Sequence, residues 1–306
     1  MTERDQATSN ASHSRSAADT QADGPAVSIV LPVYNGERFL AAALDSVLAQ
    51  TFAEIEVIAV DDASTDGSAS ILDRYASSEP RLRVITHPSN AKLPAALNTG
   101  FRAARGRWLT WTSDDNLLDR SMLERLYSAA SRSDADIVYA GFRTIDEAGR
   151  IVQHHAPGAP DDLVTGNPIG CCFLYKRSVD ARLKGYDEAL FGVEDYDFWL
   201  RAYRAGMSFE ALDEELYSYR RHDGSLTSTR AKQIHALSNP IIKSTIETLP
   251  RSPRRAFAYA NLATRDPYHL KWGMLVRAFR DHPPTVVRHM PHIVRWLRFA
   301  LRVRLG

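Results

Sequence analysis

Two adjacent carboxylates, Asp114 and Asp115, follow a segment of aromatic, apolar and β-branched residues at positions 108–112 that is typical of a strand. Carboxylate oxygens are the ligands that a hard divalent cation prefers, and phosphate oxygens often complete its coordination shell. In open α/β sheets, ligands bind beyond the carboxyl ends of the strands. The pair is therefore a candidate cation site, although a structural role explains it equally well, with Asp114 beginning a turn and Asp119 capping the next helix.

Two further strand ends carry polar loops. Apolar segments at residues 27–31 and 55–60 run into loops at Tyr34 and at Asp61 and Asp62. Each segment has the continuous apolar character of a strand that is covered on both faces of its sheet. Because the carboxyl ends of parallel strands meet at one edge of a sheet, the three loops are predicted to lie together. This favours one binding site over three unrelated turns or helix caps.

The elements that must position these loops alternate between strands and helices. This alternation predicts an α/β fold with a mostly parallel sheet and helices on both of its faces. The five predicted strands of this part lie at residues 27–31, 55–60, 82–86, 108–112 and 136–140. Beyond them, the pattern predicts a hairpin at 142–153, a mobile loop at 155–168, a strand at 171–175, a helix beginning at Glu194 and a strand at 216–219.

The composition of the 306 residues, 44% apolar and 25% charged, is that of an ordinary globular protein. The formal net charge of +1 gives no indication of nucleic-acid binding. The adjacent Cys171 and Cys172 are predicted to be buried thiols of a reducing compartment. Residues 1–25 read as a disordered tail, and no apolar run is long enough to span a bilayer. A cytoplasmic location is therefore expected, with peripheral contact at the inner membrane face as an open alternative.

An ordered series of motifs extends over about two hundred residues. With it, the chain from Val27 to about Ser228 resembles the inverting family 2 glycosyltransferases of the GT-A fold, in particular the spore-coat polysaccharide type. The motifs are Pro32-Val33-Tyr34-Asn35, Gln50-Thr51-Phe52, residues 60–66 (VDDASTD), Asn98-Thr99-Gly100, residues 112–116 (TSDDN), residues 194–199 (EDYDFW) and residues 219–225 (YRRHDGS).

The resemblance implies a Rossmann-like GT-A domain over residues 26–230. Its nucleotide-binding half would cover about 26–116 and its acceptor half about 117–230. A helical extension at 231–306 would follow, which the resemblance does not explain. One departure from the family pattern is Thr112, where many members have another aspartate.

The resemblance also implies roles for individual residues. Tyr34 would stack on the nucleotide base, Asp62 would accept a hydrogen bond from a base N–H, and Asp114 would contact the ribose or donor sugar. A structural cap for Asp62 and a solvated side chain for Lys92 remain alternatives. The implied nucleotide-binding residues are Pro32, Tyr34, Asn35, Asp62, Lys92 and Asp114.

The implied metal site consists of Asp115 and His222, which would hold Mg²⁺ or Mn²⁺ against the donor diphosphate. An ordinary loop histidine is the alternative for His222. The implied general base is Asp195, because inverting transfer needs one carboxylate to deprotonate the acceptor hydroxyl. Its neighbour Glu194 is the close competitor, and two acids at a helix start also suit the helix dipole without any catalytic role.

The expected function is metal-dependent inverting transfer of a sugar from a nucleoside diphosphate, with UDP expected, to a glycan or lipid-linked acceptor in surface polysaccharide or glycoconjugate synthesis. One alternative is a nucleotidyltransferase, which usually needs a Gly-rich basic loop after the first strand, and residues 32–36 do not form one. The other is a non-catalytic nucleotide-sugar-binding module, which loss of Asp115 or Asp195 would have favoured.

The C-terminal segment is strongly basic. From residue 266 onward, eight basic residues stand against two acids, and aromatic and aliphatic residues interleave with them. This pattern suits helices that lie on an anionic membrane. It suits equally well helices that pack on the catalytic domain or a partner and expose an arginine-rich face.

Overall fold

The computed structural model describes residues 24–265 and 270–305, so residues 1–23 of the predicted tail lie outside the described residues. In this part of the chain, the strands are β1 Val27–Val33, β2 Ile55–Asp61, β3 Leu82–Thr86, β4 Trp108–Trp111, β5 Leu117–Leu118, β6 Ile137–Ile145, β7 Ile151–His155, β8 Phe173–Lys176 and β9 Phe209–Arg220. The α-helices are α1 Leu40–Leu48, α2 Ser68–Ala76, α3 Leu93–Ala103, α4 Met122–Ser133, α5 Arg177–Leu183, α6 Glu194–Arg204, α7 Leu226–Thr229, α8 Ala231–Thr248, α9 Pro253–Ala263, α10 Trp272–Asp281 and α11 Pro283–Leu305.

The strands form one sheet in the order β3-β2-β1-β4-β8-β6-β9-β5, with β7 paired to β6. Strands β1 to β4 pair in parallel, which brings the loops that follow β1, β2 and β4 to one edge. Strand β8 lies antiparallel between β4 and β6, so β6 runs in the same direction as β4. The predicted α/β class is confirmed, and so is the hairpin, formed by β6 and β7.

Helices cover both faces of the sheet, because successive side chains of a strand point to opposite sides. Val30 and Ile58 belong to a core that contains residues of α3, α6, α8 and α9. Their neighbours Ile29 and Val57 belong to a second core, built with α1, α2 and α4. The continuous apolar sequences of β1 and β2 are explained by this double coverage.

The segment predicted as a mobile loop at residues 155–168 needs a correction. It contains a 3-10 helix, Pro160–Val164, whose Leu163 and Val164 are buried in the first core. The hydroxyl of Tyr196 on α6 donates to the carbonyl of Leu163 at 2.5 Å. The Pro- and Gly-rich composition predicted a mobile loop, but two buried apolar side chains in this segment pack in the core that includes α6.

The first part of the C-terminal segment is integrated into the fold. Ile242 and Ile246 of α8 and Tyr259 of α9 are buried in the core that also holds Trp199 of α6. Helices α10 and α11 pack on α9 and on each other. No helix in the described ranges has the length and apolar character needed to cross a membrane.

Candidate active site

A cavity of about 610 Å³ opens at the carboxyl ends of β1, β2 and β4. It also receives the start of α6 and the loop that follows β9. All ten site residues expected from the sequence line it, namely Pro32, Tyr34, Asn35, Asp62, Lys92, Asp114, Asp115, Glu194, Asp195 and His222.

The loops after β1 and β2 are held together by side chains of both. The amide of Asn35 donates to Ser64 Oγ at 3.1 Å, and Asn35 Oδ1 accepts from the Thr65 amide at 2.8 Å. The Gly36 amide donates to Ser68 Oγ at 3.0 Å. These bonds keep Asn35 in the left-handed backbone region, with φ 54°. They fix the loop that carries the half-exposed ring of Tyr34 at the cavity.

Asp62 has a structural role, as the alternative of a structural cap predicted, and its partners lie in the turn before α3. Its Oδ1 accepts from the Ala91 amide at 2.8 Å and lies 2.7 Å from His87 Nδ1. Its Oδ2 accepts from the Lys92 amide at 2.8 Å. The carboxylate thus holds the turn before α3, where Lys92 has φ 76° and an exposed side chain at the cavity. Base recognition by Asp62 stays a prediction and would use the remaining acceptor capacity of its carboxylate.

Asp114 lies directly against the first loop. Its Oδ2 accepts from the Tyr34 amide at 3.3 Å. A Cβ at Gly36 would lie 2.2 Å from the same oxygen, so only glycine leaves room for the carboxylate there. Burial and the neighbouring charge of Asp115 raise the pKa of Asp114 to about 7.

Asp115 faces His222 across the cavity edge. His222 Nε2 lies 3.1 Å from Asp115 Oδ2, while Asp115 Oδ1 is buried without a hydrogen-bond partner in the described part of the chain. Burial raises the pKa of Asp115, and His222 opposes that effect. Thr112, which replaces the family's additional aspartate, is buried and bonded to the Tyr217 hydroxyl at 2.7 Å.

A divalent cation fits this corner only with help from a ligand. Among the described residues, no group of three or more His, Cys, Asp or Glu side chains is arranged to hold a metal by itself. Asp115 has an unused carboxylate oxygen, and His222 supplies a ring nitrogen beside it. Mg²⁺ is commonly bound by one or two carboxylates together with substrate phosphates and waters, so a two-residue protein contribution is sufficient.

Arg220 and Asn116 position the acidic loop, and neither role was predicted from the sequence. Arg220 is buried, and its Nε donates to the Asp115 carbonyl at 2.9 Å. Its Nη1 donates to the carbonyls of Asp146 and Glu147 at the hairpin tip, at 3.1 and 2.9 Å. The Arg220 amide donates to Asn116 Oδ1 at 2.7 Å. The YRRHDGS motif is the one sequence signal that could have indicated Arg220.

The predicted carboxylate pair begins α6, as expected. The Gly192 amide donates to Glu194 Oε2 at 2.5 Å, and the Tyr196 amide donates to Asp195 Oδ1 at 2.6 Å. Asn167 Nδ2, in the loop before β8, donates to Asp195 Oδ2 at 3.0 Å. The role of Asn167 was not predicted from the sequence, because this residue lies in an irregular segment 28 residues before Asp195.

Electrostatics distinguish the two acids. Burial raises the pKa of both carboxyls, and the charge of Asp195 raises the pKa of Glu194 further. Hydrogen bonds from the Tyr196 amide and Asn167 oppose the rise at Asp195. Glu194 is therefore the member that holds its proton more tightly, and the first negative charge of the pair resides on Asp195.

The aromatic residues of α6 belong to the core. Phe198 and Trp199 are fully buried, and the Trp199 ring packs edge-on against Phe173 with ring centroids 4.8 Å apart. Neither ring lines the cavity, so both serve packing of the core.

The sequence of residues 28–184 matches the family described as glycosyl transferase family 2. The chain is 36% identical over 220 residues to the uncharacterized glycosyltransferase EpsJ of Bacillus subtilis, covering 66% of this chain and 63% of that protein. This chain spans less than two thirds of the length of the first curated relatives. The matched part covers 63% of EpsJ and 42% and 27% of the next two proteins.

Solved structures show the same fold. The mannosyltransferase PcManGT from Pyrobaculum calidifontis, in complex with GDP-Man and Mn²⁺, superposes with a TM-score of 0.64 at 18% identity, covering 91% of this chain and 84% of that one. S. aureus TarS 1-349, in complex with UDP-GlcNAc, gives a TM-score of 0.63 at 18% identity, with coverage of 85% and 81%. At these identities the likeness concerns the fold alone.

Proposed function

This chain belongs to glycosyl transferase family 2, and we propose that it is a glycosyltransferase that transfers a sugar with inversion from a nucleoside diphosphate to a hydroxyl of a glycan or lipid-linked acceptor. The pathway class that we propose is surface polysaccharide or glycoconjugate synthesis. The observation that carries the proposal is that one cavity is lined both by the Asp114–Asp115–His222 corner and by the Glu194–Asp195 pair. A donor diphosphate and an acceptor hydroxyl need these two chemistries side by side.

The donor would lie along the loops after β1, β2 and β4. We assign base stacking to the exposed ring of Tyr34, with Pro32, Asn35 and Asp62 around it. Lys92 supplies a positive charge for base or phosphate contact, and Asp114 accepts hydrogen bonds from the ribose or donor sugar. The two similar structures are complexes with UDP-GlcNAc and with GDP-Man. For this chain we propose UDP as the nucleotide.

Asp115 and His222 would hold a divalent cation, Mg²⁺ or Mn²⁺, together with diphosphate oxygens. When bound, such an ion stabilises the negative charge of a departing diphosphate as a Lewis acid. The unpartnered Asp115 Oδ1 and the neighbouring His222 Nε2 support this assignment. Arg220 and Asn116 keep the acidic loop in place.

We assign the general base to Asp195. As the acceptor oxygen attacks the anomeric carbon, the bond between that carbon and the diphosphate breaks, and the hydroxyl proton passes to the Asp195 carboxylate. Asn167 and the Tyr196 amide support this carboxylate in its charged form. Glu194 holds its proton more tightly than Asp195, so we assign proton acceptance to the Asp195 carboxylate.

A thermal-shift screen tests the proposed donor class. The purified chain is heated with UDP-, dTDP- and GDP-linked sugars, with Mn²⁺ and with EDTA. A ligand at about a hundred times its Kd stabilises the folded state by about 2.7 kcal/mol, which corresponds to a rise of several degrees in Tm. We expect such a rise for UDP-sugars with Mn²⁺ only. The absence of a shift with every nucleotide sugar would argue against donor binding in this cavity.

A further inference from the structure

Helices α10 and α11 expose apolar side chains at helical spacing. On α10, Trp272, Val276 and Phe279 recur at intervals of four and three residues, and all three are exposed. Such spacing places them on one face of the helix. Trp272, with 67% of its surface exposed, is the most exposed large apolar residue of the described part of the chain.

Helix α11 repeats the arrangement over more turns. Its exposed apolar side chains include Val287, Met290, Val294 and Leu297, which are spaced by three and four residues. The residues that pack α11 onto the protein are different ones, Val286 and Ile293.

The exposed stripe of α11 therefore lies beside the packed one and is not needed to hold the helix in place. Scattered exposed apolar residues are normal on protein surfaces, whereas a continuous stripe indicates an interaction surface.

The exposed charge on these two helices has a single sign. Arg280, Arg288, Arg295 and Arg298 are exposed, and no ion pair joins them to a carboxylate among the described residues. The one acid in the sequence of the two helices is Asp281, whose side chain is 6% exposed.

Asp281 points inward, where Arg251 and Arg255 lie 3.6 and 3.1 Å from its carboxylate oxygens. It therefore does not offset the arginines on the outer side.

We propose that this amphipathic face, defined by the seven apolar residues and four arginines above, binds the surface of an anionic lipid bilayer. Apolar side chains of an interfacial helix enter the headgroup boundary while its arginines meet anionic lipids. An exposed tryptophan suits the same boundary. A second copy of the chain is a poorer occupant, because a two-fold contact through this face would oppose arginines to arginines.

Co-sedimentation with vesicles tests the proposal on the full chain. One set of vesicles contains phosphatidylcholine alone, and in the other set part of it is replaced by phosphatidylglycerol. We expect binding to the anionic vesicles, weaker binding at high salt, and little binding to the neutral ones. The pairs Val287→Ser with Val294→Ser and Arg288→Glu with Arg295→Glu should each reduce vesicle affinity by about tenfold or more.

Matched controls change exposed residues elsewhere. Ile151→Ser with Val152→Ser removes exposed apolar side chains from β7, and Arg102→Glu with Arg132→Glu reverses exposed charges on α3 and α4. Both controls should bind vesicles like the unchanged chain. All the substituted residues are exposed, and thermal melting checks that each variant is folded.

Absence of binding to anionic vesicles, or binding that the α11 variants and the controls affect alike, would overturn the proposal. So would a stable dimer that the α11 substitutions dissociate while vesicle binding is absent, since the face would then serve a second copy. The test requires no nucleotide or acceptor. Its outcome is therefore independent of the proposed reaction.

Discussion

Arg220 donates a hydrogen bond of 2.9 Å to the backbone carbonyl of Asp115 while its own side chain is buried. The same guanidinium donates to two carbonyls at the tip of the β6–β7 hairpin and lies 4.6 Å from the ring of Phe39. One side chain thus joins the acidic loop, the hairpin and the start of α1. The position of Asp115 depends on a residue that lies 105 positions later in the chain.

Replacement of this residue by Arg220→Met should lower both stability and donor affinity. The substitution removes the three hydrogen bonds that the guanidinium donates to carbonyls, and a hydrogen bond to a charged group contributes about 1.5–3 kcal/mol. We expect the free energy of unfolding to fall by a few kcal/mol in urea titrations, and metal-dependent UDP affinity to fall in calorimetry. The exposed neighbour provides the control, since Arg221→Met should change neither quantity. Unchanged UDP affinity in Arg220→Met would show that the acidic loop needs no such anchor.

Nucleotide binding is predicted to be linked to a divalent cation through Asp115. UDP should bind at least about tenfold more weakly in EDTA. Replacement of a residue that only hydrogen-bonds to a metal ligand commonly lowers metal affinity by about that factor, and removal of the metal itself should have at least the same effect. Asp115→Ala should reproduce the weak binding with Mn²⁺ present. Asp223→Ala, which removes an exposed acid beside His222, should not. Equal UDP affinity by calorimetry with and without divalent metal would contradict the assignment.

Asn167 is predicted to set the pH range of the reaction. Its amide lowers the pKa of Asp195, whose carboxylate must be ionised to accept a proton. In Asn167→Ala the pKa of Asp195 should therefore rise, so the rate is lost at a higher pH as the solution is acidified. A hydrogen bond to a charged group contributes about 1.5–3 kcal/mol, which corresponds to a shift of about one to two pH units.

The full pH profile of kcat separates this effect from a merely structural one. In Asn167→Ala the rate should recover at alkaline pH. A rate that is reduced equally at every pH, with the acid limb unmoved, would mean that Asn167 only supports the loop.

We predict that only the last part of the C-terminal segment can be removed without unfolding the protein. The boundary of the folded domain would then lie within this segment and not at its start near residue 231. A chain shortened to end at residue 230 loses Ile242, Ile246 and Tyr259 from the core. Each such side chain contributes about 1.5–3 kcal/mol, which together is a large part of a typical stability of about 5–15 kcal/mol. We expect that chain to show no cooperative unfolding by circular dichroism, and one ending at residue 282 to stay folded and to bind UDP. Cooperative unfolding of the chain that ends at residue 230 would contradict this prediction and would support a domain boundary at that residue.

Most of the strands and loops of the nucleotide-binding half could be predicted from local sequence patterns. Strands β1, β2 and β4 are continuous apolar segments, so the loops bearing Tyr34, Asp62 and Asp114 could be assigned to one edge of the sheet. The start of α6 at Glu194 was predictable because acids followed by apolar residues at helical spacing mark a helix beginning. These features depend on neighbours in sequence.

Other features depend on partners that are distant in sequence. Strand β8 inserts antiparallel between β4 and β6, and no periodicity reports which strands pair. Only residues 216–219 of β9 were predicted, because residues 209–215 include four acids and none of the seven is buried. The bonds of Asp62 to the turn before α3 and of Asn167 to Asp195 join loops whose composition gives no sign of the contact.

The central claim, that Asp195 is the base of an inverting sugar transfer, is tested most directly by the turnover of Asp195→Asn beside Glu194→Gln, with UDP affinity measured for both. Both substitutions are nearly isosteric, and a glutamine at position 194 resembles the protonated Glu194. We predict that Asp195→Asn loses roughly 10²–10⁴-fold in turnover with donor affinity nearly intact, while Glu194→Gln keeps most of its rate. Wild-type turnover in Asp195→Asn together with an inactive Glu194→Gln would contradict the account and identify Glu194 as the base.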